Sequence, residues 1–392
     1  MTARVPRVLI LVCDSFGVGD APDAARYGDE GSDTIGNTAR AVGGLSAPNL
    51  GGLGLGLLTD VLGVEPRAEP GSGHGRLTER SAGKDTTTGH WEMCGVVLDE
   101  PFPLYPNGFP PEVIDAFERE VGREVLGNKA ASGTEIVAEL GEEHIRTGRP
   151  IVYTSGDSVF QIACHKEVVG LPTLYRWCRV ARRILTGEHA VGRVIARPFT
   201  GTPGNFVRTP ERRDFSLPPP GPTLLDFCAK SAVAVFGLGK IQDIFAQQGM
   251  TEARYTDSND RGVGLTVEFL RRPGPALVYS NLVDFDSKYG HRNDPVGYAS
   301  CVEALDRRIP ELVAALDGGV MFLTGDHGCD PTTPSTDHSR ERTPLLVAGV
   351  PGGPYDVGTR DTYADLGATV ADVLGVPTEG LAGASFASEI GL

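Results

Sequence analysis

The chain has 392 residues, too many for one ordinary domain, and 40% are hydrophobic, enough for two substantial cores. A formal net charge of −15 excludes a broad nucleic-acid surface, so an anionic substrate would need positive charge supplied locally, by a metal or an arginine cluster. The seven cysteines (13, 94, 164, 178, 228, 301, 329) are scattered, odd in number and without a C-x-x-C pair, which fits free thiols in a reducing cytoplasm.

Residues 7–14, RVLILVCD, form an aliphatic run that predicts a central parallel strand delivering Asp14 to its carboxyl edge. The run ends too soon for a signal peptide or membrane span, so no membrane partner is expected. SFGVGDAPDA turns the chain, and Asp20, Asp23, Asp29 and Asp33 among these turn residues read as solvated. Residues 45–62, rich in Gly and Leu, fit no single period. In 81–95, SAGKDTTTGHWEMCG, three threonines precede a helical stretch. Their hydroxyls can cap that helix, or the helix start can hold a phosphate beside a threonine nucleophile.

Proline-rich bends near 101–106 and 217–222 predict an inserted domain over 101–218. Charge divides the same way: 15 Lys+Arg against 14 Asp+Glu inside the insert, 21 against 37 outside it. Within it, 111–121 and 173–185 read as amphipathic helices, with Arg176, Arg179, Arg182 and Arg183 on the solvated face of the second. Arg193 and Arg197 share one face of a strand in GRVIARPF, with Arg208 in the following loop. They are candidates to hold a phosphate, or they line an exposed strand face.

Beyond the insert, strands are predicted at 232–236, 276–286, 321–324 and 345–350. A helix is predicted at 362–374, capped by Asp361 or Thr362 and stopped at Gly375. Alternating strands and helices define an α/β fold, a largely parallel sheet covered on both faces. The segment LTGDHGCDPTTPSTDHSRE, 323–341, leaves the end of a strand and carries Asp326, His327 and His338. The strand 276–286 also ends in acid, and His291 follows it. Strand-end groups converge in a parallel sheet. Three carboxylates (Asp14, Asp286, Asp326) and three imidazoles (His291, His327, His338) are enough for two divalent ions of the kind that clamp a transferring phosphoryl group. Periodicity cannot choose between Asp284 and Asp286, and Asp330 and Asp337 are rival acids.

DSFGVGDAPDA, GSDTIGNTA, GKDTTTGHWEM, NLVDFDSKYGHRND and GDHGCDPTTPSTDHSRERTPLL together resemble the phosphopentomutase family of the alkaline phosphatase superfamily. In the insert, GNKAASGTEI, YTSGDSVFQIA and GRVIARPFTGTPGNFVRTP extend the likeness to nearly the whole chain. The resemblance implies a metal-binding catalytic core of 1–100 and 219–392 and a mobile cap of 101–218. It also implies two Mn²⁺ ions, while the three imidazoles suit Zn²⁺ as well. Asp14, Thr86, Asp326 and His327 match the ligands of one ion, and Asp286, His291 and His338 those of the other. Thr86 matches the threonine that becomes phosphorylated, and Ser155, Asp157, Arg193 and Arg208 match sugar- and phosphate-contacting positions. The implied reaction interconverts ribose or deoxyribose 1-phosphate and 5-phosphate through a 1,5-bisphosphate, primed by a sugar bisphosphate, in the cytoplasm. Alternatives are a metal-dependent phosphatase or phosphoglycerate mutase of the same superfamily, or a non-catalytic binder of metal and sugar phosphate. A monomer is compatible with the sequence.

Overall fold

The computed structural model describes residues 7–155 and 158–392. The chain forms two compact units, Met1–Glu100 with Pro219–Leu392, and Pro101–Pro218. The strands in chain order are β1 (Arg7–Cys13), β2 (Ser72–Leu77), β3 (Leu126–Ala130), β4 (Ile151–Thr154), β5 (Val159–His165), β6 (Arg193–Thr200) and β7 (Val207–Arg208). They continue with β8 (Arg213–Ser216), β9 (Ala234–Leu238), β10 (Glu252–Arg254), β11 (Ala276–Leu282), β12 (Val320–Thr324), β13 (Thr343–Ala348) and β14 (Tyr355–Arg360).

The first unit is built on an eight-stranded sheet of order β10-β9-β11-β1-β12-β13-β2-β14. Only β13 runs against its neighbours. Its connection from β12 is the 325–342 loop, which contains no helix to carry the chain back for a parallel pairing. β1 is central. Its register pairs Cys13 with Leu282 of β11 and Val12 with Thr324 of β12, so three strands end at one edge. That edge releases Asp14, the segment leading to Asp286, and Asp326.

Both faces of β1 are covered, which is why the run is continuously apolar rather than alternating. Leu9, Leu11 and Cys13 pack with Ile35, Val263, Val302 and Leu312 from helices Thr34–Val42, Asn259–Leu270, Pro295–Asp306 and Ile309–Ala315. On the other face Tyr279 reaches Met93 of helix Thr86–Met93, and Phe322 meets Phe386 edge-on. The ambiguous 45–62 stretch resolves into two short helices, Pro48–Gly52 and Leu55–Leu58. The helix expected at 362–374 spans Ala364–Leu374, closed by Gly375 at φ 66°. No described helix is long and apolar enough to cross a membrane.

β11 is shorter than its apolar pattern predicts. It stops at Leu282, because Asp284 and Asn259 exchange hydrogen bonds of 2.9 Å and a π-helical turn, Phe285–Tyr289, begins. Asp284 and Asp286 therefore do not alternate on one strand face.

The second unit carries a mixed sheet of order β3-β4-β5-β6-β7, with β8 also pairing with β6. Helices Pro111–Val121 and Leu171–Ile184 cover one face through Phe117, Trp177, Phe160 and Val194. Helix Gly133–Thr147 covers the other through Ile136, Tyr153 and Phe199. Arg176, Arg179 and Arg183 are exposed, but Arg182 is not on a solvated face. It turns back to donate to the carbonyls of Val191 and Leu185, and burial lowers its pKa to about 10.

Candidate active site

Asp14 follows β1 directly, and Ser15 after it takes a left-handed φ of 74°. This sharp turn aims the Ser15 N–H at Asp326 Oδ1, 3.0 Å away. Thr86 opens helix Thr86–Met93, whose cap is Asp85 rather than a threonine. Asp85 accepts from the N–H groups of Thr87 and Thr88 and from the Thr88 hydroxyl, so those N–H groups are engaged internally instead of waiting for a phosphate. Thr88 is buried in this role. Thr86 Oγ1 is spared it and lies 3.2 Å from His327 Nε2. Gly89 allows the close approach: a Cβ there would sit 2.2 Å from the Asp326 carbonyl.

Three donor groups form around these residues, each with atoms within 4.8 Å of one another: Asp14–Asp326–His327, Asp286–His327–His338 and Asp286–His291–Cys329. His327 Nε2 is 3.5 Å from Asp14 Oδ1 and 3.4 Å from Asp326 Oδ2. Asp286 Oδ1 is 3.4 Å from His291 Nε2 and 3.5 Å from His338 Nε2. The other nitrogens of His291 and His327 are tied to backbone carbonyls, Thr336 at 2.7 Å and Gly328 at 3.0 Å, which orients both rings with Nε2 inward. Three carboxylate oxygens, Asp14 Oδ1, Asp286 Oδ1 and Asp326 Oδ2, are buried and accept no hydrogen bond. Two ligand atoms each about 2.1 Å from one ion at a tetrahedral angle stand about 3.4 Å apart, so this spacing fits divalent metal ligation. Buried oxygens left without donors have a purpose if a cation completes them.

Lys240 enters after β9 and places Nζ 2.7 Å from Asp14 Oδ2 and 3.7 Å from Asp286 Oδ2. Burial and the neighbouring Asp326 raise Asp14 to about 7, with Lys240 opposing. Asp326 is also buried, but His327 and His90 hold it below the usual carboxylate range. Burial works against a charged His291, and the Asp286 carboxylate 3.4 Å away outweighs this, raising the ring to about 11. Burial lowers His327 to about 4, so the ring is neutral, with Nδ1–H on the Gly328 carbonyl and the Nε2 lone pair facing Thr86 Oγ1.

Sequence reasoning missed Lys240, His90, Asn281 and Cys329. His90 sits one helical turn after Thr86 and holds the Thr86 carbonyl at 2.8 Å through Nδ1; its Nε2 is 3.4 Å from Asn281 Nδ2. Lys240 had a signal, since GLGK follows a predicted strand just as the acids do. The rival acids point elsewhere. Asp330 accepts from Asp33 N–H and Asn37, and Asp337 pairs with Lys84.

The acids of the 20–33 stretch are not simply solvated. Asp33 caps helix Thr34–Val42, and Asp29 pairs with Lys84 and accepts from Arg340 N–H. Asp23 and Glu79 hold the Arg340 guanidinium, which also donates to the carbonyls of Glu79, Ser81 and Gly83. Arg340 thus pins the loop that leads from β2 to Thr86. Both it and Glu79 are 2% exposed, so Arg340→Ala would strand a buried carboxylate. Its expected cost is about 3–5 kcal/mol in denaturant unfolding, partly recovered by adding Glu79→Gln.

In the second unit, Ser155 follows β4 and Asp157 lies outside the described residues. Arg193 opens β6, 3.7 Å from Asp214, and Arg197 donates to Gln161. Arg208 is on β7, paired with Phe199 of β6 rather than in an open loop, and donates to Thr134.

A strand edge that gathers acids and imidazoles around a threonine is a metal-dependent arrangement, and residues 6–378 match the family described as the metalloenzyme superfamily. The chain is 58% identical over 392 residues to a phosphopentomutase of Anaeromyxobacter dehalogenans (strain 2CP-C), covering 100% of each. It is 54% identical to one from Kosmotoga olearia, covering 98% of this chain and 99% of that one. The fold resembles a phosphoglycerate mutase of Leishmania mexicana, solved at low cobalt concentration, with a TM-score of 0.50, 12% identity and 98% of each chain covered. Within the metalloenzyme superfamily, the chain belongs to the phosphopentomutases, which are enzymes.

Proposed function

We propose that the chain interconverts the 1-phosphate and 5-phosphate of ribose and deoxyribose, with Thr86 as the phosphoryl carrier. The observation that carries this is Thr86 Oγ1, 3.2 Å from His327 Nε2 beside buried carboxylate oxygens that accept no hydrogen bond. In this reading Asp14, Thr86, Asp326 and His327 hold one Mn²⁺ and Asp286, His291 and His338 a second. When bound, the pair supplies charge neutralisation for the transferring group and lowers the pKa of the threonine hydroxyl.

The active enzyme carries phosphate on Thr86. The free hydroxyl of a bound pentose monophosphate attacks that phosphorus and the Thr86–phosphate bond breaks, giving the 1,5-bisphosphate. After the bisphosphate reorients, Thr86 Oγ1 attacks its other phosphate and the isomeric monophosphate leaves. Asp85 keeps the helix start fixed throughout, and His90 holds the Thr86 carbonyl. Lys240 supplies a standing positive charge between Asp14 and Asp286, so the cluster is not wholly anionic before substrate arrives. A sugar bisphosphate is the primer that first loads Thr86. The seven free cysteines agree with a cytoplasmic setting.

The test is turnover of ribose 1-phosphate by purified protein with Mn²⁺, with and without a sugar bisphosphate. Ribose 5-phosphate formation that depends on both supports the reading. Steady release of inorganic phosphate in its place would make the protein a phosphatase.

Ser155, Asp157, Arg193 and Arg208 are proposed as the substrate contacts of the second unit. Arg193→Ala or Arg208→Ala is expected to weaken pentose-phosphate turnover at least tenfold, the loss of one charge-assisted contact of about 1.5–3 kcal/mol. Arg176→Ala, on an exposed helix face, is expected to leave turnover unchanged. Equal small effects from all three would remove the arginines from the substrate site.

A further inference from the structure

Asp286 belongs to two of the three donor groups. One is completed by nitrogen, from His327 and His338. The other is completed by His291 and the thiol of Cys329. Cys329 is 1% exposed and forms no disulfide. Its Sγ lies 4.0 Å from His291 Nδ1 and 3.5 Å from the Asp337 carbonyl. Gly290 fixes it there: a Cβ at Gly290 would come within 3.0 Å of Sγ, so the turn carrying His291 rests directly on the sulfur. Asp286 Oδ1 is buried without a hydrogen bond. Cys329 is the only cysteine in any such group among the described residues. The manganese assignment uses no sulfur ligand, as expected for an ion that favours oxygen and nitrogen.

We propose that thiophilic divalent ions, zinc or cadmium, bind on the Cys329 side of this centre, held by Asp286, Cys329 and a His291 ring whose Nδ1 leaves the Thr336 carbonyl for the ion, the Nδ1 and thiol protons passing to solvent as the metal bonds form. The inference rests on the reading of Asp286 and His291 as metal ligands. The site takes Asp286 and His291 away from the second manganese, so a soft ion binds tightly and removes the working centre. Residue 329 thereby sets how the enzyme discriminates between metals.

Cadmium titration of the full-length protein, followed by thiolate-to-cadmium absorption in the near ultraviolet, tests this. The expected result is a band saturating at about one equivalent, absent in Cys329→Ser, with manganese uptake by that variant unchanged. A wild-type protein without the band, or a Cys329→Ser variant that keeps it, overturns the proposal. X-ray absorption on the zinc-loaded wild-type protein needs no variant. A sulfur scatterer at about 2.3 Å supports the site, and a shell of nitrogen and oxygen alone overturns it. Failure of wild-type protein to bind manganese, zinc or cadmium would overturn the metal reading itself and this inference with it.

Discussion

Thr86→Ala is expected to abolish mutase turnover, by at least three orders of magnitude, while leaving the fold intact. Removal of a nucleophile removes the covalent step itself and cannot be made good by binding elsewhere. The fold is spared because the helix is capped by Asp85, and Thr86 Oγ1 takes no part in that cap. The control is Thr88→Ala, which deletes the hydroxyl bonded to Asp85 and is expected to lower stability by about 1 kcal/mol without removing the phosphoryl carrier. Phosphopeptide mapping after incubation with a sugar bisphosphate is expected to find the label on Thr86. Label on Thr87 or Thr88 would displace the assignment by one or two residues.

Asp326→Ala and His338→Ala are each expected to lower bound manganese to below half of the wild-type content and to cut turnover by at least a hundredfold. Asp326 has the greater leverage. Its carboxylate faces His327, His90 and Ser15 N–H at once, so its loss removes one ligand and also the anchor of the turn that carries Asp14. His338 faces Asp286 and, in the proposed assignment, serves one ion, so its variant is expected to retain more metal. Metal analysis after dialysis measures both. Full manganese occupancy in either variant would show that residue is not a ligand.

The strand-end acids were legible because a buried parallel strand writes an unbroken apolar run that stops where the acid begins. Asp14 and Asp326 stand out for that reason. Asp286 did not, since the run 276–286 continues in type past the point where the backbone leaves the sheet. The cause is local, the Asn259–Asp284 exchange of hydrogen bonds, and Asn259 lies outside any window used to read a strand. Asp23, Asp29 and Asp33 read as turn residues for a related reason. The partners that engage Asp23 and Asp29 include Arg340, more than 300 positions along. Arg182 kept the helical period of a solvated face, and only the nearby carbonyls of Leu185 and Val191 turned it inward. Lys240 was passed over because Gly-Lys reads as an ordinary turn until the strand before it is known to share an edge with β1.

The place of β1 has a consequence for how the molecule is made. It is synthesised before the other strands of its sheet, yet both of its neighbours, β11 and β12, lie beyond residue 275. At roughly 5–20 residues per second, synthesis leaves a bare aliphatic strand waiting on the order of tens of seconds for either edge to be paired. The 101–218 unit, whose pairings are all internal, can finish folding during that interval. Nascent β1 is thus the strand of its sheet most exposed to aggregation, and the one a holding chaperone would be expected to bind.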